Sequence, residues 1–150
     1  MALLCVIRNR QRKVAFDLAF IRAMAESALP ACRAAVRSPD SDLEGLEVIE
    51  ATILSDHAIS KVHGEFLHDS TPTDVITFPS GEILIGAGVV SENAARFGYG
   101  ASEEASLCII HGLLHLAGWD DRTAREAKDM ARKQEQIFKM ARGVVCSRIL

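Results

Sequence analysis

An α+β fold, a small mixed four-stranded β-sheet flanked by helices, is predicted by three observations. Short β-branched runs alternate with longer stretches of helical spacing, and Gly, Pro or a capping Ser marks the junctions. No internal repeat, low-complexity tract or linker interrupts the 150 residues, so one domain, 1–150, is expected. A domain of this length buries roughly 70% of its unfolded surface. With 49% hydrophobic residues it can build a core without disulfides.

Residues 3–7 form an apolar run suited to a buried strand. Residues 16–29 carry Leu18, Ile21, Ala25 and Ala28 at helical spacing, and Pro30 predicts the end of that helix. The polar stretch 37–45, with Pro39 and three acidic residues, reads as a loop. Residues 46–54 alternate as a strand does, and Ser55 is placed to cap a helix reaching about Phe66. Residues 68–72 are a loop. Residues 75–78 and 82–85 form a hairpin around Pro79, Ser80 and Gly81. Ser91 is expected to cap a short helix ending near Gly98. Ser102 is expected to cap the next, with Glu103 and Glu104 in the favourable first turn. That central helix runs to about Ala117 and stops at Gly118; a last one covers 123–142.

The net charge of −3 excludes a global basic field, so any phosphate binding needs a local patch, a metal or a recruiting partner. The N-terminus has no basic region before its apolar run, so a strand is expected there and not a signal peptide. No stretch approaches the ~18 apolar residues of a membrane span. Cys5, Cys32, Cys108 and Cys146 form no C-x-x-C pair. Each is expected to be a buried small apolar residue, which fits a reducing cytoplasm.

The chemistry is concentrated in His111-Gly112-Leu113-Leu114-His115-Leu116-Ala117-Gly118-Trp119-Asp120-Asp121. Residues four apart share a helical face, so His111 and His115 can aim two imidazoles at one ion. Gly118 permits a sharp reversal, after which Asp121 can supply an oxygen. Three protein ligands with an open position are the pattern of a catalytic zinc site. One ion per chain is therefore expected on the central helix. Cys108 is a weaker candidate, with core packing its default. His57, His63 and His68 read as surface or loop residues. The spacing H-x-x-x-H-x-x-G-x-x-D also matches metzincin proteases, but their general base directly follows the first His, and here that residue is Gly112. A zincin-like metallopeptidase is thus the alternative reading.

The same residues resemble the YbeY family of endoribonucleases, whose signature is H-G-x-L-H-L-x-G-Y-D-H. Residues 111–120 match every specified position but one, where Trp119 replaces Tyr. Residues 72–79, Pro-Thr-Asp-Val-Ile-Thr-Phe-Pro, mirror a second motif, P-T-[DN]-V-L-S-F-P. Residues 81–85 mirror a third, G-D-I-V-I, and the order agrees across about 46–140. The resemblance implies a small mixed sheet flanked by helices and a zinc ion. It also implies single-stranded ribosomal RNA as substrate, in rRNA maturation and ribosome quality control. Its partners would be the small ribosomal subunit or its assembly factors, in the cytoplasm, with no membrane or DNA. A family member that has lost catalysis, a catalytically degenerate, metal-stabilised ribosome-binding module, is a further alternative that the resemblance implies. His111 and His115 match the family's first two ligands. Two departures stand out: Asp121 occupies the third ligand's place, where the family has His, and Leu67 aligns with a family Arg. Asp74 and Glu82 lie within the second and third motifs as candidate supports for a ligand His, though structural use is the first expectation for both.

Overall fold

Residues 3–149 are described by a computed structural model. Its elements in chain order are β1 (Leu4–Asn9), α1 (Leu18–Ala34), α2 (Asp42–Gly45), β2 (Val48–Leu54), α3 (Asp56–Leu67), β3 (Val75–Thr77), β4 (Glu82–Gly86), α4 (Ala87–Phe97), α5 (Ala101–Leu116) and α6 (Ala124–Ile149). The sheet order is β1-β2-β4-β3. β1 and β4 flank β2 in parallel, whereas β3 closes the edge antiparallel to β4. The expected four-stranded mixed sheet and the 75–85 hairpin are both present. Parallel neighbours need crossovers, which α1 and α3 help to supply.

Alternation along the strands decides what each sheet face buries. Ile49, Ala51 and Ile53 of β2, with Ile83 and Ile85 of β4, are fully buried on one face. There they join Ile21 and Met24 of α1, Ile109, Ile110 and Leu113 of α5, and Phe138 of α6. The other face is covered more thinly, by Ile59 of α3 against Ile76 and Leu84. α5 is the central helix, buried around most of its circumference. Each fully buried Ile or Leu side chain contributes about 1.5–3 kcal/mol. No helix among the described residues is long and apolar enough to cross a membrane.

Several boundaries differ from the sequence expectation, each for a tertiary reason. α1 passes through Pro30 and ends at Ala34. A proline inside a helix costs about 3 kcal/mol, but Pro30 is exposed while Leu29 and Cys32 beside it are buried. The turn beyond it is also pinned, because the Trp119 indole N–H donates to the Ala35 carbonyl at 2.8 Å. The 37–45 loop contains the one-turn α2, which carries the fully buried Leu43. α4 starts at Ala87, so Ser91 lies inside it. The orphan amide of Gly88 instead donates to Asp56 Oδ1 at 3.1 Å.

α5 starts after Gly100, whose N–H donates to Glu103 Oε1 at 3.1 Å. Ser102 is no cap. Its hydroxyl accepts the Asp17 amide at 2.8 Å and ties α5 to the start of α1. α6 continues past residue 142 because Ala141 and Val145 stay in the core. All four cysteines are free, and three are buried as expected; Cys146 is exposed. Burial pushes the Cys32 thiol up to about 12, so it is inert.

One close approach sets how α5 lies on the sheet. A Cβ at Gly112 would stand 2.7 Å from Thr77 Oγ1 and 3.0 Å from Ile83 Cδ1. Only a hydrogen fits between helix and strands. Gly112→Ala should therefore destabilise the protein: overpacking costs about 1–3 kcal/mol, against the roughly 1 kcal/mol gained in helix propensity. A lowered urea midpoint at unchanged slope is expected; a raised midpoint would contradict this packing.

Candidate metal centre

The site is assembled where α5 ends. His111 and His115 stand one turn apart on its partly exposed strip, with ring centroids 4.6 Å apart and planes at 83°. Gly118, at φ +97°, reverses the chain in a region that favours glycine. The Gly118 and Trp119 amides close the helix by donating to His115 O (3.0 Å) and Leu114 O (2.9 Å). The chain then brings Asp121 back over the helix. Its Oδ2 lies 3.6 Å from Nε2 of each histidine. The two Nε2 atoms are 3.1 Å apart. The structure thus brings together the three residues singled out by spacing, His111, His115 and Asp121, as a cluster that could hold a metal ion.

The outer ring nitrogens explain why this cluster suits a cation. His115 Nδ1 lies 3.0 Å from the Trp119 carbonyl, which has no proton to give, so the imidazole donates. His111 Nδ1 lies 2.7 Å from Gln134 Oε1, again an acceptor. With Nδ1 as the protonated nitrogen, each neutral imidazole has its Nε2 lone pair turned toward the other ring and a carboxylate oxygen. Three possible ligand atoms thus converge on one point. A tetrahedral ion with bonds of 2.0–2.1 Å spaces its ligands about 3.3 Å apart, close to the separations seen. The donor set therefore fits a small divalent ion. Asp121 does not cap α6: the amide of Glu126 donates to Thr123 Oγ1 at 3.1 Å, so Thr123 does.

Other candidates fall elsewhere. Cys108 is buried in the core outside the cluster; burial, then the charges of Asp74 and Glu104, push its thiol well up. Asp74 and Glu82 do not hold either ring, because Gln134 and the Trp119 carbonyl take those places. The Asp74 carbonyl serves the hairpin by accepting the Gly86 amide at 2.8 Å. Glu82 begins β4 opposite Glu50. His63 binds the Thr71 carbonyl through Nδ1 at 2.8 Å, and His68 ends α3 in a left-handed conformation.

Sequence reasoning missed Gln134. Its signal was a polar residue within the stripe Met130, Ile137, Phe138 and Ala141 that α6 buries. It also missed Glu104, which is buried with Oε2 lacking a partner among the described residues and lines a cavity of about 90 Å³ with Asp74, His111 and Gln134. Burial, then the charge of Asp74, raises its carboxyl above the usual range.

The cluster floors an open cleft of about 740 Å³. Phe66, Leu67, Thr77, Phe78 and Arg122 are among its other lining residues. Phe66 and Phe78 pack edge to face with centroids 5.5 Å apart. Leu67 is 56% exposed at the mouth and brings no charge there.

A mixed sheet flanked by helices, with a His–His–carboxylate cluster at the end of its central helix, defines the class of protein. The Endoribonuclease YbeY family model matches residues 6–142, and the chain belongs to that family. A protein named Endoribonuclease YbeY from Geobacter metallireducens is 29% identical over 147 residues, covering 88% of this chain and 91% of its own length. One of the same name from Amoebophilus asiaticus is 37% identical over 99 residues, covering 61% of this chain and 67% of its own. A solution structure from Thermotoga maritima superposes with a TM-score of 0.64 at 25% identity, over 97% of this chain and 93% of that one.

Two measurements test this geometry. In zinc titrations, Asp121→Ala should lower affinity by orders of magnitude with little change in melting temperature. Gln134→Leu should lower it about 10–100-fold, since it leaves the His111 ring unheld. Equal affinities in all three proteins would remove both residues from the site. Glu104, with its folded pKa raised, favours the native state below its unfolded value of about 4.3 and loses that contribution as pH rises through the folded value. Glu104→Gln should accordingly gain most in relative stability at neutral pH and least in acid. A stability difference independent of pH would contradict the buried carboxylate.

Proposed function

We propose that this chain is a metal-dependent endoribonuclease, one domain over 1–150, cutting single-stranded RNA at a zinc ion held by His111, His115 and Asp121. The convergence of three lone-pair donors on the floor of an open cleft carries this reading, and family membership supports it. A bound zinc ion would supply Lewis-acid polarisation of a phosphoryl oxygen. The protein's own groups do the rest. Gln134 and the Trp119 carbonyl hold the two imidazoles with Nε2 toward the cleft. Asp121 would add a negative charge to the donor set, so a bound ion would be less electrophilic than one held by three neutral histidines. The exposed Phe66 offers a face on which a base can stack. We assign the substrate as ribosomal RNA during maturation and quality control of the small subunit, which places the work in the cytoplasm.

The peptidase reading loses its base for a steric reason. The position directly after His111 has no room for a side chain, because Gly112 abuts Thr77 and Ile83. No carboxylate can be carried there.

The test compares polymers. Single-stranded RNA should be cut, cutting should stop with chelator or in His115→Ala, and peptide libraries should stay intact. Leu67→Arg should raise the rate without altering metal content, by adding a cation at the cleft mouth. Peptide hydrolysis abolished by His111→Ala would replace this reading with the protease. Inertness toward both polymers in metal-loaded protein would replace it with a binding module.

A further inference from the structure

A second feature lies just outside the cleft. Arg37, Arg132 and Lys133 converge with Asp129 and Gln136 around Trp119, on a pocket of about 220 Å³. The Arg37 guanidinium carbon sits 3.6 Å over the centre of the Trp119 ring, and the Lys133 ammonium sits 6.0 Å from it. Among the described residues, none of these three cations is in an ion pair, although Asp129 lines the same pocket. The grouping is notable in a chain of net charge −3.

We propose that this pocket is an anion site for the RNA backbone, holding a phosphodiester of the strand whose neighbouring segment occupies the cleft. The inference rests on the RNA reading of the metal centre. A guanidinium stacked by its face on an indole keeps its N–H edges free in the plane, where they match phosphate oxygens. Arg132 and Lys133 supply the further charge that a polyanion needs. The pocket and the cleft are also close along the chain: Trp119 lines one, and Asp121 and Arg122, two and three residues on, line the other. Three residues of extended chain span at most about 10 Å. Trp119 itself links the two, since its carbonyl accepts from His115 while its ring lies under Arg37 in the basic pocket.

The experiment measures binding of a labelled 2′-O-methyl single-stranded oligonucleotide, chosen to resist cleavage, to the full chain as purified, over a salt series. On single strands each phosphate contact contributes about 0.7 to the slope of log affinity against log salt. Removing both cations in Arg132→Ala, Lys133→Ala should reduce that slope by about 1.4 and weaken low-salt binding about tenfold. Arg132→Ala alone, at an exposed position, should remove about half of the slope change. The charge-retaining pair Arg132→Lys, Lys133→Arg should keep it. Zinc stoichiometry and melting temperature report that each variant is folded. If the wild type binds and the alanine variants match its affinity and slope, the pocket is no anion site and the RNA reading stands. If the wild type binds no RNA at any salt, the RNA reading fails and takes this inference with it.

Discussion

The contact between α5 and the strands β3 and β4, closed to the thickness of a glycine hydrogen at Gly112, governs much of what surrounds it. Because α5 lies so near the sheet, Ile109, Ile110 and Leu113 reach the core that Ile83 and Ile85 line. The same closeness leaves only a narrow strip of the helix free, and His111 and His115 occupy it. Their side chains are 27% and 30% exposed, which makes them accessible from the cleft while the helix beneath them is packed in the core. A site built on a buried helix is positioned by the whole core.

The donor cluster depends equally on what happens two residues after that helix. The reversal at Gly118 brings Asp121 over the two rings, and it turns the Trp119 carbonyl toward His115. Trp119 itself donates to the Ala35 carbonyl, so the end of α1 helps hold the loop that holds the site. Helix termination, tautomer choice and domain packing are therefore coupled through a single short segment. The basic pocket around Trp119 extends that coupling to the surface.

The cleft shows an uneven division of polarity. Its lining includes two imidazoles and a carboxylate together with aromatic and aliphatic side chains, and among the described residues Arg122 is the one Lys or Arg that lines it. Arg122 is itself 3.0 Å from Asp120 in an exposed pair, an arrangement that contributes little to stability. Charge suited to a polyanion is gathered beside the cleft more than within it.

Much of this was legible from residue order. Strand alternation, the Ser55 cap, the hairpin at 79–81 and the His–His–Gly–Asp spacing are local regularities, and each appears where spacing puts it. What escaped were features set by partners distant in sequence. Pro30 lies within a helix because its exposed position tolerates the lost bond and the turn beyond it is pinned by Trp119. Ser102 and Asp56 serve amides on other elements, so local capping rules misplace the starts of α5 and α4. Gln134 reaches His111 across 23 residues, and the basic pocket joins Arg37 to α6 across most of the chain. The sequence by itself determined which side chains are available as donors and how they are spaced along a helix. Only the tertiary structure decided which groups fill their outer hydrogen bonds, because those partners are chosen by the packing of α6 and α1 against α5.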